Sequence, residues 1–164
     1  MVFLQEEFDI RCEWGLTAVR QLAPISDAVV IVDVLSFSTC VDVAVSRGAT
    51  VYPFASDDIS PEDFADRHNA ILASRNRSNP DGYTLSPASL MTIPPDTHIV
   101  LPSPNGSTLS TATGNTPTYC ACLRNAQSVA EAIKNRYQTI SVIAAGERWK
   151  HDKTLRPALE DLLG

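Results

Sequence analysis

No Cys-x-x-Cys pair occurs in this chain, and its four cysteines, Cys12, Cys40, Cys120 and Cys122, include only one close couple, Cys120-Ala121-Cys122. The three histidines, His68, His98 and His151, show no ligand spacing with them. Zinc and disulfide frameworks are therefore set aside, and the thiols are read as buried and reduced. Positive charge is scarce: 13 Lys and Arg face 19 Asp and Glu, for a net charge of −6. General binding to nucleic acid or to an anionic membrane is excluded by that balance. No apolar run approaches a membrane span, and the start, MVFLQEEFDI, lacks a basic n-region. The expected address is the cytoplasm.

Familiar phosphate and hydrolase motifs are missing as well. There is no GxxxxGK[ST], no GxGxxG and no GxSxG elbow, which sets aside P-loop, dinucleotide-binding and α/β-hydrolase readings. Asp33-Val34-Leu35 lacks the second acid of the haloacid dehalogenase phosphatase signature.

What is present is an ordinary globular composition, 44% hydrophobic and 20% charged over 164 residues. That length is read as one α/β domain over residues 1–164, able to bury about two-thirds of its unfolded surface. Its most informative stretch is AVVIVDVLSFST, Ala28 to Thr39. An apolar run without alternation predicts a strand buried on both faces, the habit of parallel sheets. It ends on Asp33 and is followed by Ser36, Ser38 and Thr39 at a helix start. An acid beside hydroxyls and backbone N–H groups suits a metal ion next to a phosphate, and Asp33 as a simple helix cap is the alternative.

Further along, strands alternate with helices. Strands are predicted in the opening VFLQEEFDIRCEW and over Ala28–Val34, Thr50–Phe54, Ala70–Ala73, Thr97–Leu101, Thr118–Cys122 and Thr139–Ala144. Helices are predicted over Leu16–Leu22, Ser38–Arg47, Ser60 to about His68, Gly106–Ala112, Asn125–Arg136 and Pro157–Leu163. In the Asn125–Arg136 helix, Ala126, Val129, Ala130 and Ile133 form one apolar face. Ser60-Pro61-Glu62-Asp63 carries a cap, a first-turn proline and first-turn acids. Residues 74–96 read as a long polar loop of the kind that binds ligands. This order predicts a three-layer αβα sandwich on a mostly parallel sheet. The final helix stops in mid-pattern, so the natural chain is expected to continue past Gly164. A sheet edge left exposed there would favour a homo-oligomer.

Three strand ends share one design. Val34 gives way to Leu35-Ser36-Phe37-Ser38-Thr39, Leu101 to Pro102-Ser103-Pro104-Asn105-Gly106-Ser107-Thr108, and Ala144 to Ala145-Gly146-Glu147-Arg148. In a parallel sheet such ends lie along one edge and can build one pocket, with Asn105-Gly106-Ser107 as an ordinary turn and cap the alternative. Candidate metal acids are Asp33, Glu147, Glu160 and Asp161, enough for magnesium, which needs one or two carboxylates. Basic residues gather in two places: Arg148, Lys150, Lys153 and Arg156, and Arg75 with Arg77. Either cluster suits a small anion or is a solvated face.

The ordered blocks VVIVDVLSFST, RGATVYPF, DGYTLSPASL, VLPSPNGSTLS, CLRNAQSVAEAI, VIAAGE and ALEDLLG resemble the 2-phosphosulfolactate phosphatase family over Ala28 to Gly164. The resemblance implies a three-layer αβα fold and a magnesium-dependent phosphatase; the family's namesake reaction lies on the route to coenzyme M. It implies site roles at Asp33, at Asn105 and Gly106, at Arg124 and Asn125, at Gly146, and at Glu160 with Asp161. Where the family usually has Arg, this chain has Ser36. The expected reaction is hydrolysis of a small 2-phosphohydroxy acid such as 2-phosphosulfolactate; the alternative is a non-catalytic small-anion-binding domain derived from that family. On this reading Mg2+ is held by Asp33 with Glu160 or Asp161, and Glu147 is a further ligand or a cap. Backbone N–H groups at Ser36–Thr39 and Asn105–Ser107 cradle the phosphoryl group, and Arg148 or Arg124 supplies the cation absent at Ser36.

Overall fold

The computed structural model describes residues 4–77 and 82–164. Its strands fall into two all-parallel sheets. The first has the order β1-β7-β2-β6, with β1 Ile10–Trp14, β2 Ala28–Val32, β6 Thr118–Ala121 and β7 Ile140–Ala144. The second has the order β3-β5-β4, with β3 Thr50–Pro53, β4 Ile71–Leu72 and β5 His98–Leu101. A two-stranded antiparallel hairpin, β8 Glu147–Arg148 and β9 Leu155–Arg156, was not foreseen from the sequence. Helices cover both faces, giving the expected three-layer α/β sandwich with its parallel strands split into two groups.

The apolar run explains the first sheet. All five residues of β2 are buried, because the strand lies between β7 and β6 with both faces covered. Val29 and Ile31 pack with Ala18, Val19 and Leu22 of α1 (Gly15–Leu22) and with Leu109 of α5 (Gly106–Thr111). Val30 and Val32 face the other way, toward Ile133 of α6 (Ala126–Ile133). In the second sheet Ile99 and Leu101 pack on Phe37, Cys40, Val43 and Ala44 of α2 (Phe37–Ser46), while Val100 faces Ala65 of α3 (Pro61–Arg67). Alternate residues of each central strand thus serve opposite layers, which is what a doubly covered parallel sheet requires. The α3 start matches its sequence signal: the Ser60 hydroxyl accepts the Asp63 N–H at 3.0 Å.

Several expectations need correction. Among the described residues of the opening segment only Ile10–Trp14 is a strand, Val2 and Phe3 lying outside them; residues 5–8 make a turn closed by the Phe8 N–H on the Gln5 carbonyl. The 74–96 segment is not only a polar loop. It contains α4 (Pro87–Leu90), and Leu85, Leu90 and Ile93 are core residues, so three apolar anchors hold it down; residues 78–81 lie outside the described residues. On α6 only Ile133 and Val129 join the core, and Ala126 and Ala130 are exposed because the helix rests on the sheet near its C-terminal end. Cys40 and Cys122 are buried as expected, whereas Cys120 is half-buried and Cys12 exposed; all four are free thiols. The last helix, α7, is Leu159–Leu163. No helix among the described residues is long and apolar enough to cross a membrane.

Where the two sheets meet, the start of α5 is pressed against α2. A Cβ added to Gly106 would lie 2.1 Å from Cδ1 of Phe37, a fully buried ring with no room to retreat. Gly106→Ala is expected to cost about 2–3 kcal/mol through overpacking, lowering the melting temperature by roughly 4–10 °C in a calorimetric scan.

Candidate functional site

Asp33 follows β2 directly and is 5% exposed. One carboxylate oxygen, Oδ2, accepts the Gly106 N–H at 2.8 Å and the Ser103 hydroxyl at 3.4 Å; the other accepts the Phe37 N–H at 3.3 Å. The carboxylate therefore joins the end of β2 to the loop after β5 and to the first turn of α2. Burial raises its proton affinity most, the nearby Asp161 charge adds to this, and the two backbone N–H groups oppose it, leaving its pKa at about 6.

A second carboxylate makes the complementary link. Asp161, also 5% exposed, accepts the Val34 N–H on Oδ1 and the Gly146 N–H on Oδ2, both at 2.8 Å. It ties the end of β2 to the end of β7. Burial pushes its pKa up, against those two backbone hydrogen bonds. Gly146 has φ +67°, the left-handed region, and a Cβ there would meet Leu155 at 2.8 Å, so glycine is required for the turn that offers this N–H.

Between these links lies a cavity of about 230 Å³. Asp33, Ser36, Arg77, Ser103, Asn105 and Glu147 line it. Asn105 donates its side-chain amide to Glu147 Oε2 at 3.1 Å, which fixes that carboxylate on the wall. Ser36 donates to the Leu85 carbonyl at 2.6 Å and accepts from Arg77 Nη2 at 3.1 Å. The Leu35–Ser36 peptide bond is cis. Arg77 was visible in the sequence only as half of a two-arginine cluster. It is the one cation among the described residues on the cavity wall, and none of the described carboxylates pairs with it.

The other residues singled out in the sequence sit elsewhere or face inward. Ser38 is fully buried; its hydroxyl accepts the Asp33 N–H and donates to the Ile31 carbonyl. Thr39 donates to the Val34 carbonyl at 2.7 Å, and Ser107 bonds the Leu101 carbonyl and the Ser103 N–H. These three hydroxyls close loops, and Thr39 also lines a neighbouring cavity of about 370 Å³. Asn125 caps its own turn through Cys122 N–H and the Cys120 carbonyl. Arg124, largely exposed, pairs with Asp42 at 2.8 Å and lines a neighbouring cavity. Arg148 is exposed on the hairpin, its Nη1 3.4 Å from the Lys153 carbonyl, and lines a cavity beyond Glu147. Neither lines the cavity that holds Asp33; the cation beside Ser36 there is Arg77. Glu160 is half-buried beside Asp161 and does not line the cavity.

No group of three or more His, Cys, Asp or Glu side chains among the described residues is disposed to hold a metal, so the four expected acids do not form one cluster. Asp161 does not line the cavity, and both its oxygens are on backbone N–H groups. Asp33 and Glu147 share the cavity, and two carboxylates with room for waters and a phosphate match what magnesium takes. The raised proton affinity of Asp33, with further negative charge close by, is an electrostatic imbalance a cation would relieve.

A small, carboxylate-lined cavity with one arginine among its described residues thus sits where parallel strand ends converge, the usual place for a ligand in an α/β sheet. The chain belongs to the 2-phosphosulpholactate phosphatase family, whose model matches residues 17–164 of its 164. It is accordingly a phosphoric monoester hydrolase. No curated protein matches the chain.

Because the Asp33 carboxyl holds its proton up to about pH 6 in the folded protein against an ordinary 3.8, its contribution to stability is fully present below pH 3.8. It is lost as pH rises through 6, a change of about 3 kcal/mol at most. Urea unfolding of metal-free protein at pH 4 and pH 7 should therefore show wild type losing about 2–3 kcal/mol relative to Asp33→Asn. Parallel pH curves for the two proteins would refute it.

Proposed function

We propose that the protein is a magnesium-dependent phosphatase that hydrolyses a small 2-phosphohydroxy acid, of which 2-phosphosulfolactate is the family's example, to the hydroxy acid and phosphate. The observation that carries this reading is that Asp33, Glu147 and Arg77 line one 230 Å³ cavity. The phosphoryl oxygens would meet the guanidinium, and the carboxylates would hold Mg2+. When bound, the ion neutralises phosphoryl charge that two carboxylates would otherwise repel.

The chain's own residues divide the remaining work. Phe37 and Gly106 N–H groups fix the orientation of Asp33, so its oxygens approach the phosphoryl group from one direction. Asn105 holds Glu147 in place, and Asp161 is a positioning residue that keeps the Val34 and Gly146 backbones where the cavity needs them. Arg77 binds charge that the ground state and transition state share, and more tightly where that charge grows. Asp33 either attacks phosphorus or takes the proton of the attacking water. Borohydride reduction during turnover separates these, since an acyl-phosphate at Asp33 becomes homoserine.

Phosphate release from 2-phosphosulfolactate and 2-phospholactate is expected to require magnesium and to stop with a chelator. Asp33→Asn should lower kcat by at least about a thousandfold and Glu147→Gln by about tenfold or more, with circular dichroism unchanged. Near-wild-type turnover by Asp33→Asn would remove it from the chemistry. Folded protein that binds phosphate without turnover would favour the non-catalytic anion-binding domain.

A further inference from the structure

A second cavity, of about 370 Å³, adjoins the first and shares four of its residues, Leu35, Ser36, Arg77 and Leu85. Its character differs. Val34, Leu35, Leu85, Pro87 and Leu123 make most of its wall apolar; Thr39, Ser86 and Arg124, the last paired with Asp42, also line it, and it holds no carboxylate among the described residues. Leu35 and Leu123 are 62% and 70% exposed, so neither contributes to the core, and both border this one cavity beside a polar site. Arg77, held by the Ser36 hydroxyl, stands at the junction of the two spaces.

We propose that this second cavity receives the organic arm of the substrate, and that the natural ester carries an apolar arm longer than the one-carbon arm of a three-carbon hydroxy acid. The inference rests on the phosphatase reading for the placement of the phosphoryl group. Continuity fixes the direction: a phosphoryl group held between Arg77 and Asp33 has its ester oxygen beside the shared Leu35 and Leu85 wall, and an arm leaving it passes into the apolar space. Arg77 is then the specificity-determining residue, serving as the anion contact and as the partition between charged and apolar halves.

Alkylphosphonates test this without turnover. Methyl-, propyl- and butylphosphonate are titrated calorimetrically into wild-type protein with magnesium present. Affinity is expected to rise roughly fourfold per methylene, by more than tenfold from methyl to butyl. Leu123→Asp, on an exposed position that does not disturb the core, should abolish that rise while leaving methylphosphonate binding unchanged. Arg77→Ala should weaken all three by at least tenfold. A flat series in wild type, or a rise that survives Leu123→Asp, overturns the proposal. Phosphate release accompanied by a flat series overturns the subsite and leaves the hydrolase standing. A steep series in a protein that releases no phosphate supports the subsite and counts against the hydrolase.

Discussion

The hydrogen bond from the Gly106 N–H to the Asp33 carboxylate is the constraint from which the site follows. It crosses from the end of β2 in one parallel sheet to the segment after β5 in the other, at 2.8 Å, between buried groups. Without it, the first sheet's acid and the second sheet's loop are joined only by the longer bond from the Ser103 hydroxyl at 3.4 Å. Gly106 is the only residue type that lets α5 come close enough, because Phe37 already fills the space a side chain would need. Asp161 repeats the device on the other flank, so two carboxylates hold three strand ends in register. A charge buried among backbone N–H groups is orienting rather than stabilising, since its desolvation opposes what the hydrogen bonds contribute.

Much of the fold was legible because its cause is local. The run Ala28–Val32 can only be a strand covered on both faces, and Ser60-Pro61-Glu62-Asp63 carries its own helix start. The convergence of strand ends on Asp33, Asn105 and Glu147 was legible too, since parallel strands put their carboxyl ends on one side. The division into two sheets was not, because pairing partners depend on which faces meet in space. Nor was the burial of Leu85, Leu90 and Ile93, whose polar neighbours disguise three anchors.

The site residues separate along the same line. Hydroxyls at Ser38, Thr39 and Ser107 look in sequence like a phosphate cradle, yet each donates to a nearby backbone carbonyl. Short polar side chains beside turns bond their own backbone first. Arg124 and Arg148 are similarly placed by sequence near the right strand ends, but long side chains settle on whichever partner is at hand, Asp42 for one and a carbonyl for the other. Arg77 arrives from a segment whose path no local pattern prescribes. Its signal was only the density of positive charge in an acidic chain.

The link from Val34 to Asp161 joins residues 127 positions apart. The setting of Asp33, from the α2 turn to Gly146, is thereby completed only when Asp161 has docked. Both strands that flank β2, β6 and β7, lie far downstream in the chain, and non-local pairing is slow to form. Half-made copies would carry the acid but not its enclosure. Turnover should therefore report finished molecules alone, making activity in a cell extract a direct measure of how many chains have completed their fold.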